Sequence, residues 1–423
     1  MAFLTSLARR LVIKRKKPFI LAPPKNVKLD TKPKELGLYI HIPFCQEICD
    51  FCPYNKVAYK PGLAGKYSKA LRREVELYES NLPSGLNLSS VYIGGGSPSL
   101  LPEGLRRLLD LLRDKFGLSN DIGLELHPRD ADRRTLTKLK DMGVTMVSLG
   151  IQSFNQDLLR GVGRAGARFS NEKVARRVID AGFKCVDIDL MFSASRPETS
   201  LKDFTKSINL GADQVSTYPL IPFSYTKWGK KYLSKRNFLF NQFKERNFLN
   251  RFANKAREKG YRRSSIWSFT KRSARQYSSV TRRAFLGIGA GATSIVGRQF
   301  LVNTFSVREY IKATRKRLPV ALEGKLSKRE KEIWYLFWQL YNTQIYPDKF
   351  KKIFDRGVEE DFSHILRLGR WLNLIDEEKG KIFLTEKGAN LFHVVELLYT
   401  KSYLETVWER CLRDPWPDRI ELS

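Results

Sequence analysis

Three of the five cysteines in this chain of 423 residues fall within eight positions, in the stretch YIHIPFCQEICDFCPY at 39–54. The spacing is C-x3-C-x2-C through Cys45, Cys49 and Cys52, and no fourth cysteine follows nearby. A structural zinc ion closes its shell with four ligands. His41 is the nearest extra donor, but on the expected strand it points elsewhere. A [4Fe–4S] cluster takes one thiolate per iron. Three thiolates leave one iron open to a non-protein ligand, which makes a reaction site instead of an electron store. The spacing favours the cluster, with zinc as the alternative. Cys185, in a buried strand pattern, and Cys411, on the last helix, read as packed thiols.

Something must hold that loop and bring partners to it. After Pro33, short β-rich runs alternate with helical stretches. The runs lie at 37–42, 90–96, 122–127, 146–152, 184–192 and 214–220. Helical patterns follow at about 65–80, 102–116, 131–142, 170–182, 199–210 and 240–260. Leu105, Leu108, Leu109 and Leu112 show the three-to-four spacing of one buried helix face. Strands alternating with helices predict a parallel sheet, and six units predict an α/β fold with a partial (β/α)6 barrel. In such barrels the carboxyl ends of the strands share one mouth. Cys45–Cys52, Gly94–Ser97, Glu125, His127, Gln152, Asp189 and Tyr218 all sit at or near strand ends. A histidine at a strand end is more often a structural group than a catalyst, and His41 and His127 are read that way.

The remaining chain divides by pattern. Residues 1–35 form a basic arm, 36–260 the barrel, 261–327 a post-barrel β extension and 328–423 a helical, winged-helix-like domain. The last contains the amphipathic KREKEIWYLFWQLY and an expected hairpin within 373–388. Ala284–Val296 is the most apolar stretch, too short and glycine-rich for a membrane span.

Net charge is +32. Residues 1–36 carry ten Lys/Arg against two acids, and residues 226–283 carry eighteen against two. Such a surface attracts anions: nucleic acid, an anionic membrane or a polycarboxylate. A solvated basic face is the plain alternative. The N-terminal MAFLTSLARRLVIKRKKPF fits an amphipathic helix on a membrane surface or a disordered basic tail. Few cysteines and no transmembrane pattern point to a reducing, cytoplasmic setting, with loose membrane attachment through that arm.

YIHIPFCQEICDFC resembles the signature of radical S-adenosylmethionine (SAM) proteins. Its HIPFC lead-in is similar to the group of oxygen-independent coproporphyrinogen III oxidases and HemW heme chaperones. The resemblance continues through GGGSPS, ELHP, GIQSFNQDLLRGVGR and DIDLMF, and into the post-barrel and C-terminal segments. It implies a [4Fe–4S] cluster on Cys45, Cys49 and Cys52. It implies SAM contacts from Tyr39, Phe51, Gly96, Ser97, Glu125, Gln152, Arg164 and Asp189. It also implies cleavage of SAM to a 5′-deoxyadenosyl radical, with an electron donor such as a ferredoxin or flavodoxin. A tetrapyrrole or other polycarboxylate is the expected substrate, held by Arg262, Arg263, Arg282 and Arg283 of the basic region. A heme-trafficking protein is the first alternative and a nucleic-acid-modifying one the second. No RNA-binding aromatic motif supports the last.

The sequence departs from the group at its substrate end. Tyr54 stands where the oxidases have a further cysteine. No HNxxYW segment follows the barrel. Ser193–Arg196 replaces a glycine-led turn, and YPLIPF at 218–223 does not continue into a PGT turn.

Overall fold

The computed structural model describes residues 18–422, apart from positions 30, 32, 34, 84, 119–120, 165–169, 193–195, 234–237 and 278–283, and without the side chains of 238–247. The expected amphipathic helix at the N-terminus and Ser193–Ser195 lie outside the described residues, as do Arg282 and Arg283.

Six parallel strands form the centre: β1 (Glu35–Ile42), β2 (Asn87–Gly95), β3 (Ile122–Leu126), β4 (Met146–Gln152), β5 (Cys185–Phe192) and β6 (Gln214–Pro219). Helices α1 (Pro61–Glu79), α2 (Pro102–Lys115), α3 (Arg133–Asp141), α4 (Asn171–Ile179), α5 (Pro197–Asn209) and α6 (Phe238–Glu258) alternate with them. Proline opens α1, α2 and α5, where the missing N–H has no partner to lose. Leu105, Leu108, Leu109 and Leu112 are all buried on one stripe of α2, as their spacing requires.

The strands show two chemically different faces. On β5, Val186, Ile188, Leu190 and Phe192 join the main apolar core beneath the helices. Cys185, Asp187, Asp189 and Met191 alternate with them and face the other way. That second face is polar on several strands, with Tyr92, Glu125, Ser148, Asp187, Asp189 and Ser216. Burying so many polar groups requires hydrogen bonds. Asp187 accepts from Gln214 Nε2 and Ser216 Oγ, both at 2.7 Å.

The sheet grows to thirteen strands without closing. Next to β6 lies the antiparallel β8 (Ser268–Lys271), with β7 (Tyr261–Arg263) outside it. Next to β1 lies β9 (Phe285–Ile288), parallel, followed by antiparallel β10 (Thr293–Val296), β11 (Gln299–Asn303) and β12 (Val320–Lys325). The apolar 284–296 stretch is therefore the β9–β10 hairpin. Among the described residues no helix is long and apolar enough to cross a membrane.

The C-terminal region carries α7 (Lys328–Tyr341), β13 (Gln344–Ile345), α8 (Pro347–Phe354), α9 (Val358–Trp371), β14 (Ile375–Glu378) and β15 (Lys381–Leu384). The order is winged-helix-like, with a β13–β15–β14 sheet. Lys379 and Gly380 make the two-residue turn at φ 51° and 70°, the left-handed pair such a hairpin demands. Helix α10 (Glu386–Tyr403) then runs through a π-helical turn, Leu404–Trp408, into Glu409–Arg413. The strand Ile420–Leu422 pairs with Phe19–Leu21, so the two ends of the described chain meet.

Candidate active site

The cysteine loop leaves β1 and is held by a polar chain behind it. His41 is buried, with Nε2 2.9 Å from the Asn55 carbonyl and Nδ1 2.9 Å from the Tyr39 hydroxyl. Asn55 Nδ2 donates to the carbonyls of Ala290 and Phe305, each at 2.9 Å. Asn55 thus ties the far end of the loop to the turn after β9. Asn55→Ala strands both buried carbonyls and is expected to cost about 2–4 kcal/mol of stability. A fall in the urea unfolding midpoint measures it.

Both nitrogens of His41 are engaged in the network, consistent with its reading as a structural group. Burial lowers its pKa to about 4, against a smaller opposing pull from the Asn55 carbonyl. The imidazole is therefore neutral in the fold, and the unfolded chain takes up a proton first. His41 contributes fully above about pH 6.5 and loses about 3 kcal/mol as pH falls towards 4. The urea midpoint plotted against pH should flatten over that window in His41→Gln.

On the other side, the loop meets the end of β2. Gly96 N donates to the Ile42 carbonyl and Ser97 N to the Phe44 carbonyl, both at 2.7 Å. A Cβ at Gly96 would overlap the Phe44 carbonyl oxygen and come within 2.8 Å of Cys45 Sγ. Glycine was expected here because a ligand must approach closely; the cysteine loop itself is the first neighbour that requires it.

One groove gathers the site. It is lined by Cys45, Cys49, Phe51, Cys52, Gly96, Ser97, Glu125, Gln152, Arg164 and Asp189, together with residues not singled out by the sequence. Glu125 accepts from the Tyr92 hydroxyl at 2.8 Å and from Gly95 N at 3.0 Å. Burial raises its carboxyl above the usual carboxylate range, and these two bonds oppose the rise. Arg164 donates to the Gly150 carbonyl and lies 3.5 Å from Cys49 Sγ. Gln152 ends β4 at φ 67°, a left-handed conformation that a non-glycine residue adopts at a cost of order 1–3 kcal/mol. Asp189 accepts from Ser148, while its buried Oδ1 has no partner. Burial, then the neighbouring Asp187 charge, raises its pKa.

Tyr39 is placed differently. It does not line the groove; its ring stacks on Tyr92, 6.1 Å away, and Tyr92 lines it. His127 does line the groove, and its Nδ1 accepts from Arg129 N at 3.1 Å. Burial, aided by the Arg164 and Arg129 charges, lowers its pKa to about 3.

The donor set can be tested against a cluster. Among the described residues, no three His, Cys, Asp or Glu side chains converge on a point where one metal ion could sit. A mononuclear zinc site needs such convergence. A cluster does not, because each thiolate meets its own iron. The thiols are half-buried, and burial is the main cause that pushes Cys45 up to about 12, with Cys52 and Cys49 adding to it. Arg164 supplies positive charge beside Cys49, and Asp189 Oδ1 is an open acceptor on the same wall. These residues fit a cluster with an organic cofactor beside it.

Of the expected carboxylate forks, Arg262 and Arg263 do not line the groove, and Arg282 and Arg283 lie outside the described residues. Arg263 is buried under Phe269, with its guanidinium 5.3 Å from the ring, and pairs with Glu386 at 3.3 Å. Arg262 lies on β7, which adds to the outer edge of the sheet. Among the described residues of 226–283, Trp267 alone reaches the groove. Arg251 makes two bonds to Glu198 at 2.8 and 3.0 Å, on the outer helices. Among the described residues, Arg251, Arg262 and Arg263 lie on α6 and the edge strand β7, not at strand ends.

Sequence reasoning also missed Lys56, Tyr92, Arg129, Met191, Thr400 and Leu404. Tyr92 was findable, since it shares the inward face of β2 with Gly94. Thr400 and Leu404 carry no local signal: helix α10 brings them over the groove. Trp408, in the π turn, packs edge-on against Tyr54 at 5.8 Å. Tyr54, read from the sequence as a departure from the oxidases, is thus a contact between the loop and the C-terminal region.

Known proteins resemble this chain in sequence and in fold. Residues 39–194 match the radical SAM superfamily. The chain is 28% identical over 368 residues to the heme chaperone HemW of Bacillus subtilis, covering 84% of this chain and 96% of that protein. It is 26% identical over 302 residues to the oxygen-independent coproporphyrinogen III oxidase of Pseudomonas aeruginosa, covering 65% of each. The structure of coproporphyrinogen III oxidase (HemN) from Escherichia coli shares the fold, with a TM-score of 0.73 at 21% identity, over 93% of this chain and 98% of that one. Members of the superfamily bind a [4Fe–4S] cluster and SAM.

Proposed function

Starting from a chain that carries a radical SAM domain, we propose that it is a coproporphyrinogen-oxidase-like enzyme that removes hydrogen from an unreactive carbon of a tetrapyrrole or other polycarboxylate. Cys45, Cys49 and Cys52 hold the cluster, and the groove beside them holds SAM. Bound there, the two cofactors would supply a 5′-deoxyadenosyl radical, given an electron from an external donor such as a ferredoxin or flavodoxin. The protein's own part is positioning and exclusion of water. Arg164 sets a positive charge against the Cys49 thiolate. Glu125, oriented by Tyr92 and Gly95, accepts from the ammonium or ribose of SAM. Asp189 offers its open Oδ1 to a ribose hydroxyl. Phe51 provides a ring near the adenine, and Gln152 is held at the strand end by its left-handed backbone. Tyr39 acts through Tyr92 and His41. The arm at 1–35, barrel at 36–260, extension at 261–327 and C-terminal domain at 328–423 belong to the same reading.

One observation carries it: residues scattered in sequence from Cys45 to Asp189 line a single groove. Anaerobic reconstitution with iron and sulfide is expected to give a brown protein with about four irons per chain. Reduced and supplied with SAM, it should form methionine and 5′-deoxyadenosine in equal amounts. Colourless, iron-free protein would sink the proposal.

A second reading, heme trafficking, is favoured by the match along nearly all of HemW. Heme titration separates the two. A stable one-to-one heme adduct, with no substrate-dependent deoxyadenosine, supports the carrier.

A further inference from the structure

The cysteine loop has an outer side as well as a groove side. Cys45, Cys49, Cys52 and most residues between them line the groove, but Ile48 and Asp50 do not. Ile48, one position before Cys49, is an open apolar side chain, 46% exposed. Asp50, one position after Cys49, is tied down by its neighbours. Its N–H donates to the Val162 carbonyl at 3.2 Å, and its carbonyl accepts from Trp228 N at 2.9 Å. Its carboxylate pairs with Lys227 Nζ at 3.1 Å.

Lys227 and Trp228 open a short helix, Lys227–Leu233. Lys227, Lys230 and Lys231 are spaced i, i+3, i+4, which puts them on one side of it, and all three are exposed. Trp228 and Tyr232 stack on each other at 4.8 Å. Gly229 lies against the Phe223 backbone, which a Cβ would overlap, so that side of the helix is fixed inward. The stretch TKWGKKYLSKR at 226–236 holds five Lys/Arg and no acid; Lys235 and Arg236 lie outside the described residues. Acids on the adjoining segments are already matched: Asp50 by Lys227, Glu47 by Arg129 and Asp157 by Arg160. A cationic helix face is thus anchored to the residue that follows Cys49, on the loop that also exposes Ile48.

We propose that this outer face docks an acidic one-electron carrier protein, of the flavodoxin or ferredoxin class, and that the cysteine loop is where its electron enters. The inference rests on the radical SAM reading for the use of the electron; the charge and exposure of the face do not depend on that reading. The transfer balances as one electron: the carrier is oxidised by one, the cluster on the loop is reduced by one, and no atom crosses. On the groove side, helix α10 comes over the site and the organic cofactor takes its place, which leaves a protein partner the outer side. There the Asp50 backbone links Cys49 covalently to the acceptor of the Trp228 N–H, a path of one residue between the thiolate and the helix. Complementary charge steers such a partner and gives the fast, weak encounter that electron transfer uses. Nucleic acid fits less well. Its phosphates run in a continuous line, whereas this face sets Ile48 and the Asp50 carboxylate beside its cations.

The probe is a purified acidic flavodoxin, titrated calorimetrically into the full chain in about 50 mM and about 0.5 M salt. Lys230→Glu with Lys231→Glu reverses the face and leaves Lys227 on Asp50. Lys351→Glu with Lys352→Glu, on α8, makes the same change of net charge elsewhere. The first pair should weaken binding at least about tenfold at low salt and about twofold or less at high salt; the second should stay within about twofold at both. After reconstitution, deoxyadenosine formation driven by subsaturating flavodoxin, divided by that driven by dithionite on the same preparation, should fall by a similar factor in the first pair only. No flavodoxin binding to the unaltered chain, equal weakening by both pairs, or full affinity in the first pair overturns the proposal. So does a first pair that loses affinity for a short RNA duplex but not for flavodoxin. The two readings fail separately. Normal dithionite-driven deoxyadenosine with flavodoxin affinity untouched defeats the docking face alone. Charge-dependent flavodoxin binding in a chain that takes up no iron defeats the enzymatic reading and leaves the face standing.

Discussion

Cys45→Ala, Cys49→Ala and Cys52→Ala should each come out of anaerobic reconstitution without the brown chromophore and with iron near background. Deoxyadenosine formation should fall by at least about a thousandfold, the scale of losing an entire cofactor and not a contact. The reason lies in what surrounds the loop. Cys185 and Cys411 are 0% and 2% exposed and belong to a different packed cluster. His41 has both nitrogens engaged, and His127 has one bound to the Arg129 backbone. Among the described residues, neither of the other two cysteines lines the groove, and His41 does not line it either. The Cys45 and Cys52 thiols are held above their ordinary pKa mainly by burial, so iron must displace protons to bind. Reconstitution should therefore be more complete at pH 8.5 than at pH 7. Iron analysis and visible absorption check both statements. Full iron in any one of the three single variants would remove that cysteine from the proposed ligand set.

Gly96→Ala should be nearly as damaging, although it removes no functional group. The added methyl cannot fit between β2 and the cysteine loop, where Phe44 O and Cys45 Sγ already crowd it. Either the loop or the strand end must move, and the Gly96 N and Ser97 N bonds to the Ile42 and Phe44 carbonyls are the ties that give way. Overpacking of this kind costs about 1–3 kcal/mol, which a chain of this size survives. The chemistry does not tolerate displacements of an ångström so well, and a loss of about a hundredfold in deoxyadenosine formation is expected. Gly62→Ala is the control. It sits in α1 with nothing within 4 Å of its added carbon, and it should behave as the unaltered protein. Near-normal rates in Gly96→Ala would show that the loop and strand end need not be in register.

The described arginines of the basic region do not line the groove where they were expected to hold a polycarboxylate. Charge counted along the chain placed a cationic region after the barrel, and the count is correct. Its described arginines are not at the groove: Arg263 lies beneath Phe269, and Arg251 and Arg275 hold acids on the outside. A run of charge says how strongly a segment prefers water or an anion. It does not say which way the segment faces.

Other features were legible because their causes are local. Helix α2 and strand β5 could be read directly, since a 3.6-residue or two-residue repeat selects one buried face whatever lies opposite. The Lys379–Gly380 turn is a short-range signal of the same kind. The Cys45, Cys49 and Cys52 spacing is also local, as is the place of Glu125, Gln152 and Asp189 at or near strand ends.

What the amino-acid order determined alone, then, was the set of chemical parts and the strand ends that carry them. The tertiary structure decided what each part faces. Asn55 is anchored by carbonyls beyond β9, Tyr54 leans on Trp408, and Leu404 and Thr400 arrive over the groove from the last long helix. Each of these contacts joins positions hundreds of residues apart. No periodicity encodes them, because they arise when separate elements are packed together and the path of the whole backbone sets which side chains meet.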